Sequence, residues 1–293
     1  MVKDTLKENR VHGDIMFPLV TYHMDCDSNV DILECHWHDE FEFLLVTGGR
    51  AVFQIGTRYY NVSEGQAIVI PNGEIHAGFH YDNSHCNYSA VVFNLNFLSS
   101  GTYDVIQNKY ISPLQKNLYM LPAYIKGENE WEKEIIYELN RIFAAADTKP
   151  DAYEMLIKSS LYRIFSILLP NCDPKVPDGK REANSDKMEN IKRALEYIHK
   201  NFNRKIRIND LARLSNMSEG HFCRFFKRLV RKTPVEYINY YRVNRAVKLL
   251  ENEDAKIIEI AMDVGFDSFS YFISMFKRYM KCTPSQYRKS KGL

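Results

Sequence analysis

The sequence predicts an α+β protein of two domains, in which an N-terminal β barrel with a helical pair precedes an all-α C-terminal domain. Three observations support this prediction: short β-rich runs fill the first third, helical periodicity fills the remainder, and the charge changes sign along the chain. Residues 1–178 carry 14 Lys and Arg against 24 Asp and Glu, whereas residues 179–293 carry 25 against 13. The net charges are therefore −10 and +12, and the basic part favours nucleic acid as its partner.

The composition excludes several classes of protein. With 293 residues, 45% hydrophobic and 26% charged, the chain is neither disordered nor collagen-like. It has no apolar run of spanning length, and its polar start predicts no secretory signal. The six cysteines form no CxxC pairs. We therefore expect a cytoplasmic protein with reduced thiols and no membrane partner.

The barrel is predicted for residues 1–110. Short apolar runs follow one another from Val20 to Phe97 and stop at turn residues. The run that begins at Phe41 is expected to end at Gly48-Gly49, and a later run ends at Pro71-Asn72-Gly73. Short strands with regularly spaced turn signals are typical of a small barrel or sandwich.

A helical pair is predicted for residues 111–172. Apolar residues recur at helical spacing from Trp131 to Ala146 and from Tyr153 to Leu168, with Pro150 expected in the first turn of the second helix. One apolar stripe can cover the barrel and the other can form a dimer interface, so a homodimer is expected. Residues 173–187, rich in proline and charge, are predicted to be a linker.

The basic domain, residues 188–293, contains an internal repeat. Leu211-Ala212 recurs as Ile260-Ala261, and seven positions then recur 50 residues later. Those positions are Phe222, Phe226, Lys227, Arg228, Thr233, Pro234 and Tyr237, which match Phe272, Phe276, Lys277, Arg278, Thr283, Pro284 and Tyr287. Each copy predicts a helix-turn-helix, at about residues 208–231 and 257–281, with Asn209, Ser218 and either Asp267 or Ser268 as caps. A linking helix from Pro234 to Asn252 would span about 28 Å.

The second helix of each copy has an apolar face and a polar, basic face. The polar face comprises Gly220, Arg224, Lys227 and Arg231 in the first copy, and Ser270, Ser274, Lys277 and Lys281 in the second. Such a helix is suited to the major groove of DNA, although an amphipathic surface helix has the same division. The duplication and the local charge favour DNA. Arg242 and Arg245 on the linking helix are candidates either for phosphate contacts or for ion pairs inside the domain.

These motifs resemble the AraC/XylS-type transcription regulators. The resemblance covers about residues 190–290 and is strongest at Ile260-Ala261, at Val264-Gly265-Phe266, and from Tyr271 to Arg288. It implies promoter DNA and RNA polymerase as partners, with base contacts near the start of each recognition helix. The implied DNA-binding residues are Gly220, His221, Cys223, Arg224, Lys227, Arg228, Phe269, Ser270, Ser274 and Lys277. Gly220 and Cys223 depart from the family's usual polar pattern.

The acidic part resembles the cupins over about residues 17–97. His36, His38 and Glu42 form an HxHxxxE motif, and Gly65 to His76 form GxxxxxPxGxxH. Strand alternation places His36 and His38 on one face. The resemblance implies that these two histidines converge with Glu42 and His76 inside the barrel.

This histidine set leaves three interpretations open. It can be the polar lining of an effector pocket, a divalent-metal site suited to Zn, Fe, Mn or Ni, or a structural feature. The effector interpretation, with a sugar as ligand and no cofactor, includes His36, His38, Glu42, His76, Trp37 and Arg50, with Phe17, Tyr22 and Tyr88 as further aromatics. We expect an effector-switched transcription regulator and not an enzyme. The alternatives are a metal-dependent cupin enzyme fused to a DNA-binding module and a constitutive DNA binder.

Overall fold

A computed structural model describes residues 6–8, 10–26, 32–82, 84–102, 104–174, 179–252 and 255–290. Of residues 173, 174, 179–186 and 252 it describes the backbone alone. The chain divides into two compact units, which we call the barrel unit, residues 7–178, and the helical unit, residues 179–293 together with Leu6. Among the described residues, no helix has both the length and the apolar character needed to cross a membrane.

The barrel unit is built on a mostly antiparallel arrangement of short strands. Its strands are β1 Leu19–Cys26, β2 Leu33–His36, β3 Phe41–Ile55, β4 Arg58–Ser63, β5 Ala67–Ile70, β6 His76–His80, β7 Cys86–Phe93, β8 Tyr119–Met120, β9 Tyr124–Ile125 and β10 Asp173–Pro174. One path runs β1-β7-β3-β5-β9, while β4 and β6 also pair with β3, β2 pairs with β6, and β10 pairs with β8. The all-β prediction for this region is confirmed.

Strand β3 belongs to both halves of the barrel. Its first part pairs with β5 and β7, and its second part pairs with β4 and β6. The predicted end of a strand at Gly48-Gly49 is wrong, because the chain continues through a bulge between Val46 and Gly48. Gly49 has φ +72°, and a Cβ there would overlap the carbonyl oxygen of His85. Glycine at this position therefore permits the bulge instead of a turn.

The alternation of side chains along β3 separates two apolar cores. Phe41, Phe43 and Leu45 pack in one cluster with the helical pair, whereas Leu44 and Val46 pack in another inside the barrel. Glu42 lies two residues before Leu44, so its side chain points to the same inner side of the strand, and it is 4% exposed. A carboxylate is thus placed by the strand period in the interior.

The helical pair consists of α2, Glu130–Thr148, and α3, Tyr153–Leu168, which follow a short helix α1, Ser112–Gln115. Asn129 and Glu132 form a capping box at the start of α2. The prediction that Pro150 lies in the first turn of the second helix is wrong. Lys149 and Ala152 both have positive φ, so Pro150 belongs to the turn between the helices.

The helical unit contains seven helices in its described part. They are α4 Gly179–Asn201, α5 Ile208–Leu214, α6 Glu219–Val230, α7 Pro234–Asn252, α8 Ile257–Asp263, α9 Phe269–Met280 and α10 Pro284–Ser290. We call α5 with α6 the first copy and α8 with α9 the second copy. The predicted repeat and the linking helix α7 are confirmed. Helix α4 begins inside the segment predicted as a linker, where Lys180 to Ala183 are good helix formers.

The caps of the two copies differ in part from the prediction. Arg207, not Asn209, is the N-cap of α5, because the helix starts at Ile208, two residues earlier than a cap at Asn209 implies. Ser218 and Ser268 precede α6 and α9, and the Ser268 hydroxyl accepts a hydrogen bond from the backbone of Tyr271. Gly265 has φ +88° and packs against the backbone of Phe202, which makes it the obligatory turn residue of the second copy.

Candidate functional site

The first copy presents a basic face on α6. Phe222, Phe225, Phe226, Leu229 and Val230 are its buried residues, while Arg224, Lys227 and Arg228 are exposed. These three cations and Arg231 line a surface depression of about 460 Å³. Four like charges around one depression repel each other unless an anion lies among them, and DNA phosphates supply such anions.

The second copy presents a face of hydroxyls with fewer charges. Ser270, Ser274 and Lys277 are exposed on α9, opposite the buried Phe272 and Phe276. Serine hydroxyls both donate and accept hydrogen bonds, so they can contact either kind of base edge. The two copies thus offer chemically different surfaces on equivalent helices.

Among the remaining predicted DNA-contact residues, Gly220 is exposed and the others are partly buried. Gly220 is open at the first turn of α6, whereas His221 and Cys223 are half-buried. Phe269 is packed partly against the core of the second copy and stacks on Phe272, with ring centroids 6.3 Å apart. Its ring therefore contributes to the fold of this copy.

The arginines of the linking helix have structural contacts. Arg242 donates from Nε to the carbonyl of Phe202 and from a terminal nitrogen to that of Arg204, both at 2.7 Å. Arg245 lies over the Phe202 ring, 5.5 Å from its centroid. These contacts favour the internal role that the sequence left open beside phosphate binding.

The barrel interior brings together the four residues of the HxHxxxE and GxxxxxPxGxxH motifs. We call His36, His38, Glu42 and His76 the histidine cluster. The three imidazoles are at most 3% exposed, and their ring centroids lie 4.2–5.5 Å apart. His36 ends β2, His76 begins β6 opposite it in register, and Glu42 comes from β3. The convergence implied by the cupin resemblance is present.

One detail of the strand prediction is wrong. β2 ends at His36, so His38 lies beyond the strand and not on it. The backbone nonetheless stays extended through Trp37, which forms a parallel bridge with Lys7. This bridge carries the alternation two residues further and brings His38 to the same side as His36.

The orientation of each imidazole in the cluster is fixed by a backbone carbonyl. The Nδ1 atoms of His36, His38 and His76 lie 2.7, 3.1 and 2.9 Å from the carbonyl oxygens two residues away, of Glu34, Glu40 and Glu74. A carbonyl oxygen only accepts, so each Nδ1 carries a proton and donates it. The Nε2 atoms are thereby left to face the interior of the cluster.

Glu42 is the carboxylate at the centre of this arrangement. Its Oε2 lies 3.0 Å from His38 Nε2 and 3.4 Å from His76 Nε2. Burial alone would raise the pKa of Glu42, but the two imidazoles outweigh burial and hold that pKa well below its usual range. Glu42 is therefore a buried anion that depends on its neighbours.

Two further residues of this site, Glu8 and His12, were not predicted from the sequence. Glu8 Oε2 lies 3.2 Å from His36 Nε2 and 3.7 Å from His12 Nε2, and both side chains are nearly buried. His12 in turn packs against His38 and contacts the Tyr22 hydroxyl at 3.0 Å. No periodic motif marks these residues, because they lie in irregular chain before the first strand.

Trp37 and Arg50 lie outside the cluster. Trp37 is buried beneath the Lys7 ammonium, which is 4.7 Å from its ring centroid. Arg50 is exposed and stacks over Tyr81 at 4.1 Å, at the surface and not among the buried side chains. Of the other aromatics considered from sequence, Tyr22 reaches the site through His12.

Two family models match the chain. The AraC-like ligand binding domain matches residues 17–122, and a helix-turn-helix domain matches residues 211–290. The first match includes His36, His38, Glu42 and His76, and the second includes both recognition helices. The motif residues of both candidate sites therefore lie within the two matched regions, whereas Glu8 and His12 precede the first of them.

Several known proteins are similar over most of their length. The chain is 29% identical to the uncharacterized HTH-type transcriptional regulator YdeC of Bacillus subtilis, over 99% of this chain and 98% of that one. It is 25% identical to the melibiose operon regulatory protein of Escherichia coli, over 87% and 83%. Among solved structures, ToxT of Vibrio cholerae with a bound unsaturated fatty acid aligns over 92% and 94%, with a TM-score of 0.41 and 18% identity.

Proposed function

The chain belongs to the AraC family of DNA-binding transcription regulators, and from that premise we propose that a sugar bound in its barrel unit switches its action at promoter DNA. Because its relatives are transcription regulators, the chain is a regulator and not a metal-dependent cupin enzyme. In this proposal it acts in the cytoplasm, where promoter DNA and RNA polymerase are its partners.

The buried histidine cluster is the observation that carries the effector proposal. A barrel with a purely structural interior would be filled by apolar side chains, because burying imidazoles and a carboxylate costs free energy. Imidazole and carboxylate groups match the donors and acceptors of sugar hydroxyls. The similarity to a melibiose operon regulator supports a sugar as the class of effector. We propose His36, His38, Glu42 and His76 as the contacts of the sugar. Trp37 then supports the chain between His36 and His38, and Arg50 lies at the surface.

The exposed faces of α6 and α9 are the proposed DNA contacts. Ser270 lies at the start of α9, and Arg224 and Ser274 lie midway along α6 and α9; we assign base edges to these three. Lys227 and Lys277 lie about one turn further along, and we assign phosphates to them. Gly220 allows close backbone approach to the DNA. His221, Cys223 and Arg228 flank this surface, and Phe269 supports it from the core.

A homodimer formed by the helical pair completes the proposal. Tyr137 on α2 and Met155 and Leu156 on α3 are 61%, 73% and 40% exposed. Exposed apolar side chains on one pair of helices favour association with a second copy. A Met155→Glu, Leu156→Glu variant should then be monomeric in sedimentation experiments where the wild type is dimeric.

A ligand screen on the full chain tests the effector proposal. A sugar that binds the barrel should stabilise it by about 2.7 kcal/mol at 100 times its dissociation constant, and should change DNA binding in the same preparation. His38→Ala should abolish that stabilisation and leave ligand-free DNA binding intact. If no sugar stabilised the chain, a sugar would not be the effector. If a sugar stabilised His38→Ala as much as the wild type, it would bind outside the histidine cluster.

A further inference from the structure

We infer that Cys26 and Cys86 form a redox-active pair, which hydrogen peroxide converts into a disulfide between β1 and β7. This modification site uses none of the residues of the histidine cluster. The inference rests on the proposed function only for its regulatory meaning, because formation of the bond requires neither DNA nor a sugar. It is carried by the strand register, by the surroundings of the two sulfurs and by the position of the pair at the end of a ladder.

The two cysteines face each other across an antiparallel ladder. Cys26 is the last residue of β1 and Cys86 is the first residue of β7, and the two are partners in the register of these strands. Residues directly opposite each other in such a ladder have Cα atoms about 4.5 or 5.5 Å apart, and a disulfide spans about 4.4–6.8 Å. Their side chains also leave the sheet on the same face. A bond between the two sulfurs therefore requires little displacement of the backbone.

In the part of the chain that the structure describes, no other two cysteines are arranged in this way. Cys35 lies on β2, whose partner strand β6 contains no cysteine. Cys172, Cys223 and Cys282 lie outside the strands. A single specific disulfide is therefore expected, rather than a mixture of pairings.

The surroundings of the two sulfurs favour a disulfide. Cys26 and Cys86 are 8% and 0% exposed and belong to the apolar core inside the barrel. The Cys26 thiol donates to the carbonyl of Ile32 at 3.7 Å, and the Cys86 thiol donates to that of Asn87 at 3.8 Å. Thiols are weak donors, so little hydrogen-bond energy is lost when the bond replaces these contacts.

The reaction consumes one molecule of hydrogen peroxide in two steps. Cys26 Sγ attacks one peroxide oxygen, which breaks the O–O bond, releases water and leaves a sulfenic acid on Cys26. Cys86 Sγ then attacks that sulfur, the S–S bond forms, and the sulfenic oxygen leaves as a second water with the proton of the Cys86 thiol. The two thiols together lose two electrons, and the peroxide gains them.

Cys26 is expected to react first. It ends β1, and the last pair of a ladder opens most easily, so its sulfur meets solvent more often than that of Cys86. Burial, with Cys26 close by, raises the pKa of the Cys86 thiol to about 12, which makes Cys86 the poorer nucleophile towards free peroxide. Once Cys26 carries the sulfenic acid, proximity compensates for this difference.

Oxidation has a consequence for the strand that carries His36. The Ile32 carbonyl accepts hydrogen bonds from the Cys26 thiol and, at 3.4 Å, from the Tyr88 hydroxyl. β2 begins at the next residue and ends at His36. A disulfide removes the hydrogen of Cys26 Sγ and turns the sulfur towards Cys86, so the start of β2 loses one of these two contacts. The redox state of the pair therefore reaches the proposed effector site through a single short strand.

The experiment is treatment of the full reduced chain with one equivalent of hydrogen peroxide, followed by thiol counting in denaturant and peptide mapping by mass spectrometry. The thiol count should fall from six to four, and dithiothreitol should restore it, because a disulfide is reducible whereas a sulfinic acid is not. One linked pair of peptides should contain Cys26 and Cys86. Cys26→Ser should keep all five of its thiols. Cys35→Ser is the matched control and should fall from five to three.

Hydrogen exchange tests the consequence for β2. The amides of Leu33–His36 should exchange faster in the oxidised wild type than in the reduced wild type, and oxidant should leave their exchange in Cys26→Ser unchanged. Equal exchange in the two states of the wild type would overturn the coupling between the pair and β2.

Three results would overturn the inference as a whole. They are a wild-type thiol count that stays at six, an equal loss of two thiols in Cys26→Ser, and a linked peptide that contains any other cysteine. Peptide mapping of the wild type decides the pairing even where a cysteine variant fails to fold. None of these measurements uses a sugar or DNA, so failure of the effector proposal leaves their outcome unaffected.

Discussion

The two helix-turn-helix copies share a core but differ on the face that each presents. Phe222 and Phe226 of the first copy and their equivalents Phe272 and Phe276 of the second are all completely buried. On the outer face, by contrast, Arg224 corresponds to Ser274. The repeat has therefore kept the residues that fold the unit and also the exposed cations Lys227 and Arg228, which recur as Lys277 and Arg278. Both copies can attract phosphates, and the difference between them lies at the position of Arg224 and Ser274.

The tyrosines that follow each copy show a second difference. The Tyr237 hydroxyl lies 2.7 Å from His199 Nε2, whereas the Tyr287 hydroxyl donates to a carboxylate oxygen of Glu251 at 2.7 Å. Burial lowers the pKa of His199 to about 4, and burial also raises that of Tyr287 to about 12. Only the tyrosine after the first copy therefore has a histidine as its partner, and the pKa of that histidine in the folded chain lies below its usual value of 6.5.

The largest effect should come from truncating the shared core. Phe226→Ala and Phe276→Ala should each destabilise their own copy by about 3–5 kcal/mol, because each leaves a cavity at a fully buried site. Native-state hydrogen exchange of the amides in α6 and α9 measures the two losses separately. If only one of the two variants lost stability, the two cores would not be equivalent.

A pH change should distinguish the copies. His199 is held neutral in the native state, while the unfolded chain takes up a proton below its usual pKa of 6.5, so stability falls as pH drops from 6.5 towards 4. The loss should be about 2 kcal/mol at pH 5. Amide exchange in α4 and α7, corrected for intrinsic rates, checks this at pH 7 and pH 5.

His199→Phe is the control for that measurement. It keeps an aromatic ring against Tyr241, on which the imidazole stacks with centroids 4.5 Å apart, but it cannot titrate. The difference in stability between pH 7 and pH 5 should shrink by the same amount. An unchanged difference would assign the pH dependence to other groups.

The outer faces should differ in how they contribute to DNA affinity. Arg224→Ala should cost about 1–3 kcal/mol on a preferred site and relax the preference at one base pair, as expected for a bidentate guanine contact. Ser274→Ala, at the equivalent position, should cost about 0.5–1.5 kcal/mol. Competition between preferred and random DNA checks both. An equal loss on the two DNAs would make Arg224 a phosphate contact.

The smallest effect should be a change of salt dependence. Lys227→Gln and Lys277→Gln should each reduce the slope of log affinity against log salt by about 1, with little effect on sequence preference. Binding titrations at several salt concentrations measure these slopes. A slope reduced in both variants would show that both copies contact the DNA phosphate backbone. A slope that stays at the wild-type value in one variant would show that the lysine of that copy makes no phosphate contact.

Periodicity and repetition were sufficient to predict much of this molecule. Both copies and α7 followed from helical spacing and from the offset of 50 residues, because these elements are set by local pattern. The bulge at Gly49 did not follow, since a glycine pair has the same local preference in a bulge and in a turn. Pro150 was misplaced because two residues beside it adopt positive φ in the turn.

The candidate site was predicted only as far as its motifs extend. His36, His38, Glu42 and His76 lie in two motifs, on or beside β2, β3 and β6, so alternation and turns locate them. Glu8 reaches the same interior through a backbone contact with Trp37 that no local pattern encodes. Arg50, by contrast, lies on a suitable strand, but its charge and the Tyr81 ring hold it at the surface.

The parity of β3 has a consequence for communication within the barrel unit. The two neighbours of Glu42 in the chain, Phe41 and Phe43, turn outward and contact Phe165 of α3, with ring centroids 5.3 and 6.0 Å apart. The carboxylate inside the barrel and the two phenylalanines that pack against α3 are thus consecutive residues of one strand. A displacement of Glu42 by a bound molecule has a single peptide unit to cross before it reaches the helical pair, and it needs no longer relay through the core.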